Sequence, residues 1–163
     1  MDRATFRSIF GAVYEHSPWL ADEVFDTGVE AILTDAKALN ARFESVFLAA
    51  GKTRQLAVLQ AHPQLACARV EHTELTPASL REQTGAGLDQ CTEPEFNQFI
   101  DMNKKYMNKN NFPFIVAVKG RNRQEILEVF NNRLGNDTSS EFQTALEQVC
   151  QIAKFRIKDI LRG

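Results

Sequence analysis

Asn111-Phe112-Pro113-Phe114-Ile115-Val116-Ala117-Val118 is unlike the rest of the chain. Pro113 removes a backbone donor near its start, and β-branched Ile115, Val116 and Val118 crowd its second half, so the run is a poor helix former. It is also short, and no second run of the same kind accompanies it. A lone extended segment has nothing to pair with and cannot build a sheet. The reading that follows is an all-α fold: a single-domain helical bundle over residues 1–163, with one short, extended, buried segment at about 112–118.

Helix signals punctuate the chain on both sides of that run. Towards the C-terminus, Asn122 with Glu125 opens a helix that ends at Gly135, and Thr138 with Glu141 opens the last one. Towards the N-terminus, Thr92-Glu93-Pro94-Glu95 combines a cap, an early proline and a capping acid ahead of a helix with Phe96, Phe99, Ile100 and Tyr106. Thr76-Pro77 opens a short helix closed by Gly85 and Gly87, and Thr53 begins another with Leu56, Val58, Leu59 and Ala61 as its apolar positions. Asp26-Thr27 starts a helix that runs, with a break, to Ala50, and Gly51 ends it. Ser17-Pro18 caps a helix carrying Trp19, Leu20, Val24 and Phe25. Asp2 or Thr5 caps a first helix with Phe6, Ile9, Phe10, Val13 and Tyr14 on one face. No internal repeat, low-complexity tract or linker interrupts the pattern.

Bulk composition narrows the function classes. A chain of 163 residues buries a sizeable core, and 44% hydrophobic with 25% charged residues is ordinary for a globular protein. Nineteen basic against 21 acidic residues leave a net charge of -2, so no basic field draws nucleic acid or an anionic membrane. No apolar run approaches the roughly 20 residues that span a bilayer. The opening MDRATFRSIF lacks the apolar stretch of a signal peptide, and the final Leu161-Arg162-Gly163 is not a peroxisomal address. Cys67, Cys91 and Cys150 are odd in number and lack metal-type spacing, so they read as reduced small hydrophobes in a cytoplasmic protein.

Three places call for more than punctuation. His62 precedes Pro63, which disfavours helical geometry, so the imidazole projects from a helix end. A proton-transfer residue and a helix-terminal histidine bonded to a carbonyl both fit, and periodicity favours the second. His16 and His72 are weaker candidates, and the three histidines share no ligand spacing, so no metal site is expected. Ser79 and Glu82 have the spacing of a capping box. If the helix instead begins at Thr76-Pro77, they lie one turn apart on one face with Gln83 beside them. A hydroxyl, a carboxylate and an amide then form a surface for a small polar molecule. Finally, Phe142, Ala145, Leu146, Val149, Ile152, Ala153 and Ile160 form an apolar stripe, and Arg156 falls on nearly the same side. An arginine there reaches out to water or meets a buried anion. No phosphate-cradling glycine loop, nucleophile elbow or cysteine-nucleophile signature is present. The residues alone lead to a helical domain with a polar site and stop short of a reaction.

The ordered set of motifs adds a resemblance. It comprises Glu15-His16-Ser17-Pro18-Trp19, Ala61-His62-Pro63 with Leu65-Ala66, and Ser79-x-x-Glu82-Gln83 before Ala86-Gly87-Leu88. Tyr106, the Phe112-Pro113-Phe114-Ile115 run ending in Lys119-Gly120, and Arg156 complete it. In this order, and over nearly the whole chain, they resemble the OHCU decarboxylases, named for 2-oxo-4-hydroxy-4-carboxy-5-ureidoimidazoline. Two departures stand out: Gln64 where the family has an acid after His-Pro, and Lys109-Asn110-Asn111 where it has Lys-Phe-Gly. The resemblance implies an all-helical, often dimeric carboxy-lyase with no metal or organic cofactor. It implies the last step of urate breakdown, in which OHCU loses carbon dioxide to give (S)-allantoin. It carries the catalytic roles to His62 and Glu82. Substrate binding falls to Pro63, Ser79, Gln83 and Arg156, with backbone groups of Phe114, Ile115, Val116, Ala117 and Val118 lining the pocket. The competing expectations are a non-catalytic helical module that binds a ureide or a partner helix, and an enzyme of the same fold acting on a related carboxylated ureide.

Overall fold

The computed structural model describes residues 1–65 and 75–163. Among these it contains eight α-helices, one short 3-10 turn at Leu88–Gln90 and no strand, so the fold is all-α as expected. The helices are α1 (Arg3–Phe10), α2 (Trp19–Asp26), α3 (Ala36–Ala49), α4 (Lys52–Ala61), α5 (Pro77–Gly85), α6 (Glu93–Asn110), α7 (Arg123–Leu134) and α8 (Thr138–Arg162). None of them is long and apolar enough to cross a membrane. The chain divides into two compact units, Met1–Ala61 with Val149–Gly163, and His62–Gln148. The expectations for Ala66, Cys67 and His72 lie outside the described residues.

The first unit is built on aromatic rings. Phe6 and Phe10 of α1 lie 4.7 Å apart between centroids, and Tyr14 packs against Phe47 of α3 at 5.1 Å. Each fully buried ring of this kind contributes about 1.5–3 kcal/mol. Asp2, not Thr5, caps α1 by accepting from the Thr5 N–H. Ile9 is 39% exposed, so the buried face of α1 is Phe6 and Phe10, with Val13 and Tyr14 following beyond its end. The helix expected to start at Asp26-Thr27 does not: residues 27–35 form turns and coil, and α3 begins only at Ala36, where Asp35 caps it through the amides of Lys37 and Ala38. Ser17 does not cap α2. Its hydroxyl donates to the Glu15 carbonyl, and Pro18 holds the cap position.

The second unit has its own aromatic cluster. Phe114 stacks on Phe130 of α7 at 3.8 Å, and Tyr106 of α6 meets Phe112, Phe114 and Phe130 edge-on. These rings explain why residues 112–118 are buried without joining a helix. From Pro113 to Val118 the backbone runs with no helix, strand, turn or bend. Thr76, Thr92 and Asn122 cap α5, α6 and α7 as their sequences require. At α8 the expectation fails. Asp137 accepts from the Ser140 N–H at 2.7 Å, and Glu141 is drawn into the interior instead of serving a capping box. Of the cysteines expected to be reduced, Cys150 is a buried thiol 3.9 Å from the Tyr14 hydroxyl.

Candidate active site

His62 follows the last residue of α4, where Pro63 prevents continuation. His62 and Pro63 are half-buried, Gln64 is exposed and Leu65 is buried. Two neighbouring helices hold the main chain just beyond the histidine. Gln83 of α5 donates Nε2 to the Gln64 carbonyl at 3.3 Å, and Asn103 of α6 donates Nδ2 to the Leu65 carbonyl at 2.9 Å. Both side-chain amides are buried, so loss of its carbonyl partner would leave either one unsatisfied. The Gln64 departure is thereby explained. What α5 engages is its carbonyl, which any residue supplies.

On α5 the ambiguity between cap and shared face resolves. Thr76 is the cap, its hydroxyl accepting from the Ser79 N–H at 3.2 Å, and Pro77 occupies the first turn. Ser79 and Gln83 are buried, one helical turn apart, with Glu82 half-buried between them. The structure thus brings Ser79, Glu82 and Gln83 onto the helix that grips the His62-Pro63 segment.

The 112–118 segment belongs to the same unit and is also held by side chains. Arg133 of α7 donates Nη1 to the Ile115 carbonyl at 2.5 Å, and its guanidinium lies 4.4 Å over the Phe114 ring. Gln148 of α8 accepts from the Ala117 N–H through Oε1 at 2.9 Å. Arg133 is itself fixed by Glu141, whose Oε1 accepts from Arg133 Nε at 2.9 Å and from the Tyr106 hydroxyl at 2.6 Å. Asn136 donates to the other carboxylate oxygen at 3.1 Å. Burial pushes the Tyr106 phenol well above its ordinary pKa, and its bond to Glu141 adds to the shift while Arg133 opposes it.

Arg156 lies in the first unit, only 6% exposed. Its Nη1 donates to Glu15 Oε2 at 2.8 Å and to the carbonyls of Ala12 and Val13, both at 3.3 Å. Of the two readings of an arginine on an apolar stripe, the buried anion is correct and the route to water is not. Glu15 enters from a tight turn in which His16 adopts left-handed geometry, φ 49°.

Asn103, Arg133, Glu141 and Gln148 escaped the sequence reading as functional positions. Asn103 had a usable signal: an amide among Phe99, Met102 and Tyr106 on the buried face of α6. Among the described residues, no group of three or more His, Cys, Asp or Glu side chains is arranged to hold a metal ion.

Fold and site together define an all-α protein whose polar groups gather on a helix-terminal histidine and on an irregular segment held by buried side chains. The family model for OHCU decarboxylase matches residues 1–158, and the chain belongs to that family. It is 35% identical over 159 residues to the 2-oxo-4-hydroxy-4-carboxy-5-ureidoimidazoline decarboxylase of Halalkalicoccus jeotgali, covering 98% of this chain and 86% of that one. It is 33% identical over 161 residues to the uric acid degradation bifunctional protein PucL of Bacillus subtilis, covering 99% of this chain but 31% of the relative. A solved structure of (S)-allantoin synthase superposes with a TM-score of 0.77 at 26% identity, covering 98% of this chain and 51% of the synthase chain. The chain therefore spans about a third of the bifunctional relative and about half of the synthase.

Proposed function

We propose that the protein is a cofactor-independent carboxy-lyase that converts 2-oxo-4-hydroxy-4-carboxy-5-ureidoimidazoline to (S)-allantoin in urate breakdown. The observation that carries this reading is the bond from Gln83 to the Gln64 carbonyl, which ties the Ser79–Glu82–Gln83 helix to the His62-Pro63 turn within one unit. A hydroxyl, a carboxylate, an amide and an imidazole then belong to one local framework. Family membership over nearly the whole chain supports the substrate.

The chemistry suits these groups. Breaking the bond to the carboxylate leaves an electron pair on ring carbon C4, and the adjacent C5=N double bond of the substrate ring accepts that charge. The substrate is its own electron sink, so the protein must align the carboxylate, stabilise enolate-like charge and move one proton. His62 takes the proton work, because imidazole is the side chain best suited to exchanging protons at neutral pH. The C4 hydroxyl of the resulting enol loses its proton as C5 gains one, and delivery to one face of C5 yields a single enantiomer. Glu82 orients the imidazole or accepts from ureido N–H groups, and Pro63, Ser79 and Gln83 complete the surrounding shell. Arg156 pairs with substrate oxygens through its planar fork. Backbone groups from Phe114 to Val118 read the ureido-imidazoline edge. A homodimer and cytoplasmic residence complete the proposal, and light scattering and cell fractionation test them.

The deciding experiment generates the substrate in situ from urate and follows the circular dichroism of the allantoin formed. Faster appearance of the (S) enantiomer is expected. Racemic product at the spontaneous rate overturns the reading, and ureide binding without release of carbon dioxide supports the non-catalytic module instead.

A further inference from the structure

Asn103 sits where the packing of α6 alone would not put it. It is 6% exposed, on the helix face that also buries Phe99, Met102 and Tyr106. Asparagine is a poor helix former, and a buried amide has to be answered by hydrogen bonds, so an apolar residue would serve the packing better. The answer comes from another part of the chain: Nδ2 donates at 2.9 Å to the Leu65 carbonyl, 38 residues away in sequence. The helix behind that bond is held on both sides of Asn103. One turn before it, Phe99 packs against Phe130 of α7 at 6.5 Å, and one turn after it Tyr106 meets the same ring edge-on at 6.0 Å. Few free torsions separate the pinned carbonyl from His62. The Pro63 ring locks its own φ, and proline narrows the backbone choices of the residue before it. The Gln64 carbonyl is held as well, by Gln83 at 3.3 Å. His62, Leu65, Gln83 and Asn103 all belong to one unit.

We propose that Asn103 is a positioning residue for the decarboxylation: by holding the Leu65 carbonyl it fixes where the His62 main chain, and with it the imidazole, stands during proton transfer. This rests on the decarboxylase reading and adds to it a residue that acts through His62. The amide works on the main chain and not on substrate, so its loss falls on kcat and leaves KM nearly alone. Gln83 grips the neighbouring carbonyl through a longer side chain and a longer bond, and it also belongs to the shell proposed around the substrate. Removing Gln83 would mix two effects, which makes Asn103 the cleaner probe.

A double-mutant cycle tests the proposal, with steady-state kinetics on the in situ substrate read as (S)-allantoin and melting curves alongside. Asn103→Leu keeps the shape of the side chain and removes the donor. It should lower kcat about tenfold with KM nearly unchanged, since a small misplacement of an acid–base group is costly in rate. In a His62→Asn background the same change should have almost no further effect on kcat, because residues that act as a unit are not additive. An equal loss in both backgrounds overturns the proposal, and so does a kcat that Asn103→Leu leaves unchanged. Asn103→Gln returns an amide donor on a longer side chain and should recover most of kcat even where it melts no higher than Asn103→Leu. A kcat that follows melting temperature across the variants, and not the donor, overturns the proposal. If Asn103→Leu does not fold, Asn103→Ser, too short to reach Leu65, replaces it in both backgrounds. Absence of turnover in the wild type is a failure of the decarboxylase reading alone. Carbon–proton NMR of the histidine rings then reads the same variants, with the signals of His62 and His16 identified by their loss in His62→Asn and His16→Asn. A His62 signal that moves in Asn103→Leu while that of His16 stays supports the placement of His62 by Asn103, and an unmoved His62 signal overturns it.

Discussion

Two buried glutamate–arginine pairs, one in each unit, are built in opposite ways. Glu141 is wholly shielded from solvent and collects donors from three side chains, those of Arg133, Tyr106 and Asn136. Its arginine passes the constraint on to the Ile115 carbonyl. Side chains of α6 and α7 and of the turn before α8 meet at this one carboxylate of α8. The pair in the first unit joins residues 141 positions apart and leans on main chain. Arg156 Nη1 reaches Glu15 together with the carbonyls of Ala12 and Val13, all within the turn that follows α1. Burying an ion pair costs desolvation that its attraction barely offsets, so neither pair is evidence of stability gained. What both supply is placement: the first of a guanidinium, the second of a backbone segment.

The sharpest way to break the comparison is at Glu141. Glu141→Leu leaves the Arg133 charge buried and deprives Tyr106 and Asn136 of their acceptor. It should cost about 3–5 kcal/mol in urea unfolding, because removing one member of a buried pair strands the other. Adding Arg133→Met should recover much of that loss, since an apolar pair of similar volume has no charge left to desolvate. A loss below about 1 kcal/mol for Glu141→Leu alone would mean that water reaches the carboxylate.

Next in size is His62→Asn, expected to lower turnover about 100-fold, the ordinary contribution of a positioned acid–base group, with little change in melting. The half-buried imidazole lies past the end of α4, so its removal opens no core cavity. Turnover near wild type would take His62 out of the proton transfer. Arg156→Lys comes third. A lysine is a point charge and cannot keep Glu15 and two carbonyls while also offering a flat fork to substrate oxygens. A KM raised by about tenfold with modest loss of stability is expected. A KM left unchanged would reduce Arg156 to a purely structural partner of Glu15.

Which of these features the sequence revealed follows from their range. Helix starts are local chemistry: Thr76 with Pro77, Thr92 with Glu95 and Asn122 with Glu125 satisfy amides within one turn, and each was legible. The same logic misled at α8, where Thr138 and Glu141 fit the box pattern. Asp137, one residue earlier, takes the amide, and the demand for an anion beside Arg133 takes Glu141. Arg156 was conspicuous because a charge on an apolar stripe has to be answered. Arg133 was not, since it follows Asn131 and Asn132 on a polar stretch of α7, and its partners Ile115 and Glu141 lie outside that helix. His62 announced itself through Pro63. The amides of Asn103 and Gln148 that hold the two irregular segments did not, because their carbonyl and N–H partners lie 38 and 31 residues away.

The smallest expected effect concerns the end of α6, where a family departure meets backbone geometry. Asn111 closes the helix at φ 63°, ψ 22°, left-handed values that glycine adopts most readily. Asparagine is the side chain that tolerates this region best after glycine, so the departure keeps the turn that launches the 112–118 segment. Asn111→Ala should therefore cost about 1 kcal/mol, because a Cβ without a compensating amide is strained there. Asn111→Gly should shift stability by only a few tenths, since relief of that strain is opposed by the greater freedom of glycine in the unfolded chain. Thermal melts of the two variants measure the difference directly. If alanine proves no worse than glycine, the left-handed turn is not what residue 111 is there to make, and Gln148 and Arg133 hold the segment without help from its start.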